Sequence, residues 1–181
     1  MQTTRQTWEH LRNTYWYVTQ ADLPALQFSA SDNQLGWQGD QTVWHLTGYK
    51  NGYFWGACAT AMFAHDTRNN GTPPKVQRTR IVGTVTAEGH VLMNFVRDTG
   101  LQESMVTAYG NMVQVDAQWA FQMQMSTSAA GKQVLHWANM QQTRPGEDSF
   151  LKLPGVQYSV PEMLDGASYP RFDEDAATQP G

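Results

Sequence analysis

His45 and Cys58, the only cysteine, supply the elements of a nucleophile. An imidazole beside a thiol lowers its pKa and releases a thiolate able to attack an electrophilic centre. Without such a partner a buried cysteine behaves as a small hydrophobe, and a strand histidine as a hydrogen-bonded core residue. His45 and Tyr49 fall on one strand face and offer two hydrogen-bonding groups to a ligand. His136, in the last long apolar run, is a further candidate for a general acid or base. The catalytic candidates are thus His45, His136 and Cys58, and the expected ligand-binding set is Trp44, His45, Tyr49, Trp55, Met123 and His136. No spaced Cys/His set of the zinc-binding kind is present, and His65-Asp66 has no further ligands nearby in sequence, so neither metal nor cofactor is implied. Gln122, Gln124 and Asn139 alternate with apolar residues and read as a solvated face, or as a hydrogen-bonding lining if that face is turned inward. Glu103 and Asp116 read as surface carboxylates.

These groups are positioned by a hairpin. From Gln41 to Phe63 two β-prone runs flank Asn51-Gly52, a dipeptide suited to a type I′ turn. With 51 and 52 as the loop, Lys50 pairs with Tyr53, Tyr49 with Phe54, Thr47 with Gly56, and His45 with Cys58. That register brings the histidine and the thiol together. The other face carries Trp44, Leu46, Trp55, Ala57 and Ala59, so neither face of the hairpin is polar enough to be left in water.

Elsewhere Thr3 to Gln6 fits a capping box, with Trp8, Leu11 and Tyr15 at helical spacing behind it, which predicts a short helix within residues 1–14. Strands are expected at Tyr15 to Thr19 and Leu26 to Phe28, with a break at Asp22-Leu23-Pro24. Asp66 to Lys75 reads as a polar loop and a flap at one end of the molecule. A second hairpin spans Thr79 to Arg97 about Glu88-Gly89, setting Val85 opposite Leu92, and Gly110-Asn111 reads as a third turn. Strict alternation from Trp119 to Ser126 and a run from Gln133 to Gln142 complete a meander over 15–142. From Thr143 the composition turns to Pro, Gly and acid, predicting an irregular extension over 143–181 that wraps the domain and frays towards its end.

The whole chain, 1–181, is expected to form a single mainly β domain: an antiparallel meander barrel of about 8–10 strands, since 181 residues suffice for one core. A net charge of −4 without a Lys/Arg cluster argues against a nucleic-acid surface. The opening residues lack an apolar run of the signal-peptide type, and no stretch reaches the length of a membrane span, which points to the cytosol. Short antiparallel strands joined by tight turns over residues 14–142 resemble the calycin-like barrels, the group of lipocalins and avidins. The resemblance is architectural and carries over no site residue. It implies a small hydrophobic or aromatic ligand inside the barrel. Two alternatives stand beside that expectation: an isomerase- or cyclase-type enzyme on the same scaffold with a histidine as acid/base, and an interaction module whose apolar sheet face is buried in an oligomer such as a homodimer.

Overall fold

The computed structural model describes residues 7–64, 73–97, 105–129 and 131–171. Nine strands form one antiparallel sheet: β1 (Thr14–Val18), β2 (Leu23–Ser29), β3 (Gln34–Lys50), β4 (Tyr53–Ala64), β5 (Val76–Val85), β6 (His90–Val96), β7 (Met105–Val115), β8 (Gln118–Ala129) and β9 (Lys132–Thr143). Consecutive strands pair from β2 to β9, and the sheet closes because β1 and β2 share one position between β3 and β9. The result is a closed eight-strand barrel, compatible with a calycin-like architecture. In place of the expected N-terminal helix the described residues show a single 3₁₀ turn, Glu9–Leu11, and the Thr3 to Gln6 box lies outside them.

On the side of β3 away from β4, the break between β1 and β2 leaves Gln41 and Thr42 without a strand partner. Gln41 fills the gap. Its fully buried amide donates to Val18 O at 3.0 Å and to Pro154 O at 2.8 Å, so a side chain substitutes for missing ladder bonds and joins the C-terminal segment to the barrel wall.

The turn at Asn51-Gly52 forms as expected, with both residues at positive φ, and the pairs Lys50–Tyr53 and Tyr49–Phe54 follow. Beyond them Thr47 is an extra residue. This β-bulge between Leu46 and Gly48 shifts the register, so that His45 faces Ala57 and Cys58 faces Trp44. Because side chains alternate with period two, the slip sends His45 outside the barrel and Cys58 inside. Gly56 permits it: a Cβ there would stand 2.0 Å from the His45 carbonyl oxygen. Two further turns differ from expectation. Val85 pairs with Val91, because the second loop holds three residues and ends on Gly89 at φ 88°, and this turns Leu92 outward. Gly110-Asn111 lies within β7, and the chain reverses at Asp116-Ala117 instead. Gly110 serves close packing, since a Cβ there would meet the Gln122 carbonyl at 1.9 Å.

Trp16, Trp44, Phe54, Phe121, Met93, Met123 and Met140 fill the middle of the barrel and are almost wholly buried. Phe121 is the hub, with Trp16, Trp44 and Phe54 rings at 4.6, 5.3 and 6.3 Å. Trp8 and Leu11 belong to the same core and plug the end nearest the Asn51-Gly52 turn: Trp8 Nε1 donates to Thr86 O, and its ring meets Trp119 edge-on. The outer face of β3 and β4 is also apolar. It is covered by residues 150–169, where Phe150, Leu153, Val156, Val160 and Met163 pack on Val43, Ala57, Ala59 and Ala61. The alanines let this strap lie close, and each large apolar side chain buried beneath it contributes about 1.5–3 kcal/mol before ordering costs. Two short helices carry the strap, α1 (Asp148–Leu151) and α2 (Val160–Leu164), the second opened by a capping box between Ser159 and Glu162. Arg78 on β5 donates to Met163 O at the far end of α2.

Candidate functional site

Opposite the Trp8 plug, the other barrel end holds the polar groups of the interior. Asp40, Thr42 and Trp44 point inward from β3, Cys58 and Thr60 from β4, Thr79 from β5, and His136 from β9. Alternation places them there: Asp40 and Thr42 are in phase with Trp44 and Leu46, and His136 with Ala138 and Met140. Asp40 is 0% exposed, and its Oδ2 accepts from His136 Nδ1 at 2.9 Å. Thr42 Oγ1 donates to the same carboxyl at 3.1 Å and lies 3.1 Å from the Thr60 hydroxyl, which in turn lies 3.5 Å from Cys58 Sγ.

A pocket of about 80 Å³ opens over this network. Its apolar side is Phe95, Val106 and Met125; its polar side is the Thr42, Thr60, Thr79 and Thr127 hydroxyls with Gln77, Arg97 and His136. Arg97 donates to Gln77 Oε1, which holds the guanidinium across the mouth. With Nδ1 engaged by Asp40, the imidazole presents Nε2 as its second nitrogen for a ligand or a proton. A fully buried carboxylate is costly, and here a histidine and a threonine hydroxyl offset that cost at a mouth that gains no apolar packing from it.

The structure brings together only one member of the expected ligand-binding set, His136, with the candidate nucleophile Cys58; Trp44 backs them within the packed core. Met123 is in the packed middle of the barrel, and Tyr49 is at the plugged end, where its hydroxyl accepts from Trp8 N at 3.3 Å. Trp55 and His45 lie outside the barrel. Trp55 borders an outer groove with Tyr53, Val82 and Leu92. His45 stacks on Tyr15 at 4.1 Å and shares hydrogen bonds with Tyr169 and Asn13, so it ties the strap to the wall. Burial there lowers its pKa. Gln122 and Gln124 are exposed on the outer face, Asp116 is exposed in its turn, and His65 and Glu103 lie outside the described residues.

The expected His45–Cys58 dyad does not form, because the bulge at Thr47 puts the two side chains on opposite sides of the sheet. Burial also raises the Cys58 pKa to about 12, so the thiolate that would attack is scarce at neutral pH. Cys58 in the native protein is therefore expected to resist a thiol-specific disulfide reagent that titrates it fully in denaturant; rapid modification of the folded protein would contradict this burial.

No family model, curated protein or solved structure matches this chain. The site therefore rests on its own geometry. Sequence reading passed over Asp40, Thr42 and Arg97, although one signal was present: a carboxylate in phase with the inward-facing Trp44 and Leu46. Among the described residues no group of three His, Cys, Asp or Glu side chains is disposed to hold a metal ion, and no helix is long and apolar enough to cross a membrane.

Proposed function

We propose that the open barrel end binds a small amphipathic molecule, its polar group on His136 and the threonine hydroxyls and its apolar part on Phe95, Val106 and Met125. The observation that carries this reading is the buried Asp40–His136 pair, which orients an imidazole towards a pocket. The packed middle narrows the expectation of a ligand deep in the barrel to one seated at the mouth, with the aromatic cluster as its floor. An acid/base enzyme is the second reading. It is favoured by the same pair, since a carboxylate on Nδ1 fixes the tautomer and supports a proton at Nε2.

Benzyl alcohol, benzoate and toluene test the binding reading as a series on one aromatic ring that carries a hydroxyl, a carboxylate or no polar group. The first two should raise the melting temperature in a concentration-dependent way, and His136→Gln should weaken them by roughly tenfold, the cost of a lost buried hydrogen bond, while toluene is little affected. Absence of stabilisation by any of the three would count against the mouth as a ligand site.

A further inference from the structure

From β6 to β9 the sheet is almost without charge. Lys132, at the start of β9, is the only Asp, Glu, Lys or Arg in those four strands. Their inner side is the barrel core, but among the described residues no strap covers their outer side. In its place the register aligns neutral residues into two rows around the wall. One runs Leu92, Tyr109, Gln124, Trp137, and the other Asn94, Thr107, Ser126, Leu135, continuing over β2 and β3 through Leu26 to Trp37. Leu92, Tyr109, Leu135, Trp137 and Trp37 are each 45–61% exposed. Single exposed apolar side chains are ordinary, whereas a contiguous set marks a contact surface. Two polar pairs are already fixed: Tyr109 OH donates to Gln124 Oε1 at 2.6 Å, and Thr107 Oγ1 to Asn94 Oδ1 at 2.9 Å. A surface whose side chains are held before contact loses less entropy on binding.

We propose that this face, centred on Tyr109, Gln124 and Trp137, is the contact surface for a second copy of the chain. Charge selects that occupant. A protein of net charge −4 meets like charge across most pairings with itself, and this face avoids the penalty. An acidic or basic partner would find no counter-charge on it, whereas Tyr, Gln, Ser and Thr both donate and accept, so two identical patches satisfy each other about a twofold axis. Size agrees. At about 4.8 Å between strands and about 3.3 Å per residue, β7 to β9 with β2 present on the order of 500 Å² in projection. The relief of Tyr and Trp brings that near the roughly 600–800 Å² per partner of a stable dimer. The sequence expectation placed an oligomer contact on the 41–63 hairpin; the strap covers Val43, Ala57, Ala59 and Ala61 on its outer face, while Tyr53 beside the turn stays exposed.

Sedimentation velocity on the full chain at about 1–100 µM should show a dimer dissociating on dilution. Tyr109→Lys and Trp137→Glu each bury an unpaired charge in the contact and should raise the dissociation constant at least about tenfold. Both positions point outward, so far-UV circular dichroism should be unchanged. Leu151→Glu, an equally exposed apolar position on α1, should leave the dimer intact. A monomer throughout the concentration range, or a dimer that survives both face variants, overturns the proposal.

Discussion

His136→Ala should cost about 3–5 kcal/mol of stability in urea unfolding, because it leaves the Asp40 carboxylate buried with one threonine hydroxyl in place of a paired partner. Most of that loss is the penalty of the stranded charge, not the worth of the hydrogen bond. The double variant Asp40→Asn, His136→Gln, which keeps a donor and an acceptor but no charge, should therefore recover the greater part of it. A double variant whose loss equals the sum of those of Asp40→Asn and His136→Gln measured singly would mean that the groups do not sense each other. A loss below about 1 kcal/mol in His136→Ala would mean that the carboxylate is solvated after all.

Gly56→Ala is the second large effect. A methyl at that position would stand 2.0 Å from the His45 carbonyl oxygen and 2.8 Å from Leu46 Cα, both backbone atoms that no rotamer change can move aside. Relief requires the bulge at Thr47 to open. Opening it would slide the His45 side of β3 against β4 by a residue, turning Trp44 and Leu46 out of the core. The expected cost is above about 4 kcal/mol, enough to leave much of the protein unfolded. Gly36→Ala is the control, in the neighbouring strand β3, with nothing within 4 Å of the added carbon. It should be neutral or stabilising by up to about 1 kcal/mol.

Fold class was readable because alternation and turn chemistry are local. Asn51-Gly52 reports its own backbone conformation, and so the first hairpin turn was placed correctly. Asp116-Ala117 also takes positive φ at both residues, but alanine has no preference for it, so that turn left no mark while the nearby Gly110-Asn111 left a misleading one. The bulge was invisible for a related reason. Thr47 is an ordinary strand residue, and what allows an extra one is the missing side chain at Gly56 across the ladder. One residue of slip at Thr47 dissolved the His45–Cys58 pair, and one extra residue in the loop between β5 and β6 separately turned Leu92 outward. The site itself joins Asp40 to His136, at opposite ends of the meander, a contact that closure creates and that no local pattern announces. Gln41 was hidden in the same way, since its partners lie on β1 and in the strap.

The shared position of β1 and β2 has a bearing on how the molecule is made. Tyr15 pairs with Thr143, so the seam that completes the cylinder joins the first strand to the last, while β3 to β8 can assemble as neighbouring hairpins. On a ribosome the early strands must wait, with unpaired edges, until β9 has emerged. Closure over so long a stretch of chain is slow compared with hairpin formation, so open sheet edges outlast the formation of each hairpin during synthesis.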